Sequence, residues 1–97
     1  MDMKKKAKIP KYGTVPNLAN LNVVVGAKQL KKAVKNGRAR YVYLAENADP
    51  AVTEPLARLC MENHIPITWV SSMADLGRAC GIEVGAAAAA ILNGSNG

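Results

Sequence analysis

The stretch Val23-Val24-Val25-Gly26-Ala27-Lys28-Gln29-Leu30-Lys31-Lys32-Ala33-Val34-Lys35-Asn36-Gly37 decides the fold class, because its hydrophobic period changes in the middle. The β-branched run Val23–Val25 reads as a short buried strand. Gly26 ends it. Ala27, Leu30, Ala33 and Val34 then recur at helical spacing, and Asn36-Gly37 closes the helix. The same alternation continues downstream. Residues 40–46 (Arg-Tyr-Val-Tyr-Leu-Ala-Glu) form a nearly continuous apolar run, as in a strand covered on both faces. Asp49-Pro50 is a helix start, with Asp as N-cap and Pro in the first turn. Val52, Leu56, Leu59 and Cys60 would share its apolar face. Pro55 conflicts with a helix beginning at residue 50, since a proline deep in a helix costs about 3 kcal/mol. A start at Thr53 would put Pro55 in the first turn instead. Residues 65–70 (Ile-Pro-Ile-Thr-Trp-Val) predict a third strand. Ser72-Met73-Ala74-Asp75 resembles a capping box with Asp in place of Glu, and Met73, Leu76, Ala79 and Cys80 follow on one helix face, ended by Gly81. The last segment, residues 84–92, is ambiguous. Its five consecutive alanines favour helix on propensity, while Gly85 and the closing Ile91-Leu92 fit a buried strand. Strands alternating with helices predict an α/β/α sandwich.

With 97 residues there is room for one domain. Residues 17–92 form it. Residues 1–16 read as a basic flexible tail broken by Pro10, Gly13 and Pro16, and residues 93–97 as a flexible end. The chain has three Tyr, one Trp and no Phe, so its core must be built from aliphatic side chains. The net charge of +6 is unevenly spread. Residues 1–22 carry five Lys and one Asp. Residues 26–40 hold Lys28, Lys31, Lys32, Lys35, Arg38 and Arg40 with no acid, and residues 41–97 carry two Arg against six acids. A basic front half and an acidic back half fit a one-sided polyanion binder. A solvated helix face with a basic tail gives the same distribution.

The catalytic inventory is thin. The single His64 lies in a turn-like stretch with no evident partner. Cys60 and Cys80 form no C-x-x-C pair and read as free thiols on apolar helix faces. With one His they make no zinc signature. The turn at Gly26 has neither phosphate-loop nor dinucleotide-binding spacing. No catalytic residue, metal ligand or cofactor is expected. No apolar run approaches the roughly 20 residues of a membrane span, and no apolar segment follows the N-terminal lysines as a secretory signal requires. A cytoplasmic monomer is the expectation.

The helix opening Gly26-Ala27-Lys28-Gln29-Leu30-Lys31-Lys32 carries more. A glycine after a buried strand lets a nucleic-acid backbone come close. The helix start offers N–H groups and a positive dipole end to phosphate. Lys28 and Lys32 lie one turn apart with Gln29 beside them, suited to phosphate and base-edge contacts. An amphipathic helix with a solvated face explains the same residues, since Leu30, Ala33 and Val34 already account for its packing.

This opening resembles the G-x-N-E-x-x-K element of the L-seven-Ae and L-thirty-e ribosomal proteins, and more so the G-T-K-Q form of their bacterial branch. Ala45-Glu46-Asn47-Ala48-Asp49-Pro50 resembles the family's A-x-D-A-D-P loop. Leu76-Gly77-Arg78-Ala79-Cys80-Gly81-Ile82-Glu83-Val84-Gly85-Ala86-Ala87 is similar to its L-G-x-A-x-G-I-E-V-x-A-A signature. The resemblance runs from about Asn22 to Leu92. It implies a three-layer α/β/α sandwich with a four-stranded mixed sheet, and it implies that residues 84–92 are a strand. It further implies recognition of a kink-turn, a sharply bent RNA internal loop with tandem sheared G·A pairs. Gly26, Lys28, Gln29 and Lys32 would meet the G·A stems. Glu46, Asn47, Ala48 and Asp49 would border the site, and Ile82, Glu83 and Val84 would cap the flipped-out nucleotide. Lys31, Lys35, Arg38 and Arg40 would lie near phosphates. Two departures stand out: Ala27 replaces a small hydroxyl residue, and Asn47 replaces an acid. The expected partner is a kink-turn in ribosomal RNA of the large subunit. A noncoding or riboswitch RNA, or a protein partner on the same fold, are the alternatives.

The tail is expected to add only phosphate attraction, which salt weakens through counterion release. Deleting residues 1–16 should lower affinity by a similar factor for kink-turn and duplex RNA and flatten the salt dependence. Titration of both RNAs at several salt concentrations checks this, and loss of the kink-turn preference would show that the tail reads structure.

Overall fold

The computed structural model describes Leu18 and residues 22–93, so the basic tail lies outside the described residues. Seven elements follow in order: β1 (Val23–Val25), α1 (Ala27–Lys35), β2 (Ala39–Ala45), α2 (Pro50–Glu62), β3 (Ile67–Val70), α3 (Met73–Ala79) and β4 (Ala88–Leu92). They build a four-stranded mixed sheet in the order β1-β4-β2-β3. β4 runs antiparallel to both β1 and β2, and β2 runs parallel to β3. α1 and α2 cover one face and α3 the other, which gives the three layers implied by the resemblance.

Strand alternation sorts the core into two halves. Val42, Leu44, Ala88, Ala90 and Leu92 meet Leu30, Ala33 and Val34 of α1 and Leu56 and Cys60 of α2. Tyr43, Ala45, Val70 and Ala89 meet Leu76 and Ala79 of α3, with Leu18 fully buried among them. Tyr41 and Tyr43 pack edge to face with ring centroids 5.0 Å apart, and the Tyr41 hydroxyl is hydrogen-bonded to that of Thr68. Burial, and then the neighbouring Tyr41, push the Tyr43 hydroxyl pKa up. Burial likewise raises both thiols, which stay unpaired, so Cys60 and Cys80 are held in the unreactive protonated form.

The alanine segment is a strand only from Ala88. Helix propensity differs between residues by fractions of a kcal/mol. Placing Ala88, Ala89 and Ala90 between two strands and under helices on both faces removes all three from solvent and satisfies their backbone in two ladders. Residues 84–87, expected in the same strand, instead fold back over α3. Ile82 N–H donates to Gly77 O at 3.1 Å and Ala86 N–H to Met73 O at 3.0 Å. The seat is Gly77, where an added Cβ would lie 2.1 Å from Val84 O.

α2 is continuous from Pro50 through Pro55 and does not restart at Thr53. Pro55 lies on the exposed side, where loss of one backbone bond costs least, while Thr53, Leu56 and Cys60 face inward. Asp49 caps this helix, its Oδ1 accepting from Ala51 N–H at 2.9 Å. α1 ends in a Schellman turn. Gly37 N–H donates to Val34 O, and Arg38 N–H to Ala33 O at 2.9 Å. Gly37 adopts the φ of 71° that this turn needs and that a Cβ disfavours. After β4, Asn93 N–H donates to Arg38 O at 2.6 Å, and its side-chain amide to Gly37 O.

Gly77→Ala should destabilise the protein by about 1–3 kcal/mol, since a backbone carbonyl occupies the new methyl's place. Denaturant unfolding measures the loss, and amide NMR shifts should concentrate at residues 82–86. An equally stable variant with an unmoved loop would show that Gly77 is not the seat.

Candidate RNA-binding face

One end of the sheet gathers the loops. β1, β2 and β3 finish there and β4 begins there, as their pairings require. Gly26 N–H donates to Ala88 O at 2.8 Å, Ala45 N–H to Ala87 O at 2.9 Å, and Glu46 N–H to Val70 O at 2.7 Å. Backbone hydrogen bonds thereby tie the start of α1, the end of β2 and the chain entering β4 together at this end.

Gly26 adopts φ 105° and ψ 153° as the residue before α1. A Cβ there would meet nothing within 4 Å, so its conformation, not crowding, calls for glycine, and the surface in front of it is open. α1 starts without a side-chain cap and without an acid in its first turn. Its first N–H groups and positive dipole end therefore face outward. Lys28 sits in that first turn, where a cation opposes the dipole. Helix stability gives no reason for it. Lys28 and Gln29 are exposed, as are Lys31, Lys32 and Lys35, and the five line one open depression. Gln29 and Lys32 also line a second groove, with Asn36 and Arg38 over a floor of Val24, Ala33 and Leu92. Among the described residues the ion pair found is Arg78–Asp75, within α3, so no described carboxylate neutralises the α1 cations.

The residue 46–49 loop divides into contact and support. Glu46 is exposed. Asn47 Oδ1 accepts from Met73 N–H at 2.8 Å and so ties this loop to the start of α3. Ala48 is 5% exposed and packs in the core, and Asp49 is occupied as the cap of α2. The α3 start is completed by Ser72 Oγ, which accepts from Asp75 N–H at 3.0 Å. The return bond of a capping box is replaced: the Asp75 carboxylate accepts from Ser71 Oγ and from Arg78.

In the pinned loop after α3, Ile82 is half-buried against the core and Glu83 is exposed. Val84 is 70% exposed, with its backbone carbonyl seated over Gly77. An apolar side chain held in water by a fixed backbone suits cover for an unstacked base.

The structure does not bring all the expected cations to this end. Lys35 and Arg38 lie at the far end of α1. Arg40 is separated again. The β2–β4 register shifts by one residue between Ala39 and Tyr41, making Arg40 the extra residue of a bulge. It lines a different cavity with Tyr41, Pro66 and Ile91. Sequence reasoning missed the tie from Asn47 to α3, the groove position of Asn36 and the seat at Gly77. Gly77 had a signal, a glycine inside an otherwise regular helix pattern, but its partner lies in a loop that periodicity does not locate. Among the described residues no three His, Cys, Asp or Glu side chains come together as metal ligands would, and no helix is long and apolar enough to cross a membrane.

Comparisons with known proteins identify the family. An "RNA-binding protein" of Bacillus pumilus is 45% identical over 71 residues, covering 73% of this chain and 87% of the relative. One from Geobacillus thermodenitrificans is 49% identical over 70 residues, covering 72% and 85%. Among solved structures, the Giardia lamblia 15.5kD RNA binding protein superposes with a TM-score of 0.71 at 32% identity, covering 74% of this chain and 61% of that one. A Bacillus halodurans protein described as of unknown function gives a TM-score of 0.69 at 27% identity, covering 76% and 74%. The model of the ribosomal protein L7Ae/L30e/S12e/Gadd45 family matches residues 13–96, and the chain belongs to that family of RNA-binding proteins.

Proposed function

We propose that this chain is a noncatalytic reader of kink-turn RNA, acting as a cytoplasmic monomer, with a ribosomal RNA kink-turn of the large subunit as its target. The observation that carries this reading is an uncapped, cationic helix start at the same end of the sheet as a pinned loop that holds Val84 out to solvent. Gly26 lets the RNA backbone approach. Lys28, Gln29 and Lys32 contact the edges of the sheared G·A pairs. Ile82, Glu83 and Val84 cover the flipped-out nucleotide, with Glu83 as an acceptor for a base edge or an orienting group for the loop. Glu46 and Asn47 border the site, while Ala48 and Asp49 hold their loop in shape. Lys31 and Lys35 supply phosphate attraction from α1, Arg38 from the turn that closes it, and Arg40 from its separate position. Relatives named as RNA-binding proteins support the class of partner. Co-sedimentation with large subunits at high salt, with sequencing of the RNA retained by the tagged chain, tests the target.

Lys32→Ala and Gln29→Ala should each weaken kink-turn binding by about 1–3 kcal/mol, the size of a direct base contact. Folding should hardly change, because both side chains are exposed. An equal loss on plain duplex RNA would remove the specificity role.

Val84→Asp should weaken kink-turn binding more than Val84→Ala does, because it forces a carboxylate under a base and beside phosphates. Val84 is exposed, so the fold should tolerate the change, as amide NMR can verify. A folded variant with unchanged affinity would show that the loop caps no nucleotide.

A further inference from the structure

The cations of α1 form a track that extends well beyond the gathered loops. Lys28, Lys32 and Lys35 follow one another along the exposed side of the helix, about 10 Å from first to last at the helical rise. The Schellman turn then hands the track to Arg38, whose backbone is fixed on both sides. Its N–H donates to Ala33 O, and its carbonyl accepts from Asn93 N–H. The groove lined by Gln29, Lys32, Asn36 and Arg38 reaches this far corner, and it shares Gln29 and Lys32 with the neighbouring depression lined by Lys28, Lys31 and Lys35. α1 itself carries no acid, and no described carboxylate pairs with any member of the track. Arg40, two residues further on, leaves it at the bulge for the cavity beside Tyr41 and Pro66.

We infer that one RNA stem lies across these two adjoining depressions, from Gln29 at the reading end to Arg38 at the far end, with Lys35 and Arg38 on its phosphates. The inference rests on the kink-turn reading and goes beyond it by fixing the direction of one stem. It also separates Arg38 from Arg40, two exposed arginines of equal charge that nonspecific attraction would not distinguish.

The test uses the full chain and three RNAs: a kink-turn with short stems, and two versions in which one stem or the other is extended by about one helical turn. Extending one stem, and not the other, should tighten binding by about tenfold at low salt. Arg38→Ala and Lys35→Ala should each remove most of that gain, lowering affinity for the extended RNA by a larger factor than for the short one, and Arg40→Ala should keep the gain. The slope of log affinity against log salt on the extended RNA should fall by about one for each lost phosphate contact. A gain from both stems, a gain from neither, or equal behaviour of the Arg38→Ala and Arg40→Ala proteins would overturn the stem track. If the short kink-turn is still preferred over duplex, only the stem track fails. If that preference is absent, the kink-turn reading fails as well.

Discussion

The full burial of Ala88, Ala89 and Ala90 in an interior strand is the constraint on which the rest of the structure depends. β4 is the antiparallel partner of both β1 and β2, so it sets the register of the two strands that lead into the functional loops. Its methyl-sized side chains sit under helices on both faces. Larger residues would push α1 and α2 off one side, or α3 and Leu18 off the other, at the cost of overpacking. The first residue of the strand and the one before it also hold the neighbouring strands. Ala87 O and Ala88 O accept the hydrogen bonds that hold the ends of β2 and β1.

From that anchor the protein separates rigidity from contact. Backbone bonds and caps fix the loops: Gly77 seats the residue 82–85 segment, Asn47 ties the residue 46–49 loop to α3, and Asp49 starts α2. The side chains left exposed are those suited to polyanions and bases. Lys28, Gln29, Lys32, Glu83 and Val84 have little packing to do. Lys28 acts against the helix dipole, and Val84 exposes apolar surface to water. Local rules broken without structural gain are the features that single out these positions as candidates for contact with a partner. Preorganised loops lower the ordering cost of binding, which a domain with so few aromatic side chains has limited means to offset elsewhere.

The basic half and the acidic half of the sequence do not map onto two simple faces. The cations from Lys28 to Arg38 line two depressions that share Gln29 and Lys32, whereas the bulge at Arg40 diverts the next cation to another cavity. Linear charge counting sees six cations in one block. The structure divides them between two surfaces, and this division determines which of them one rigid partner can reach.

The sequence by itself determined the elements with strong local signals. The change of period at Gly26 gave β1 and α1, Asp49-Pro50 gave the start of α2, Ser72 gave the cap of α3, and Asn36-Gly37 gave the turn before Arg38. It also marked Lys28, Gln29 and Lys32, because they form a polar stripe on a helix whose apolar stripe is complete. Tertiary structure decided the remainder. An alanine run has no period, so only burial between two strands could make residues 88–92 extended. Pro55 looks disruptive in sequence, yet an exposed helix side tolerates it. Gly77, Asn47 and the loop 82–85 act through contacts across the fold, and a bulge of one residue turned Arg40 away from its neighbours. Capping and periodicity are settled within a few residues of chain. Seats, ties and bulges depend on which surfaces meet, and that is fixed only when the layers close on the sheet.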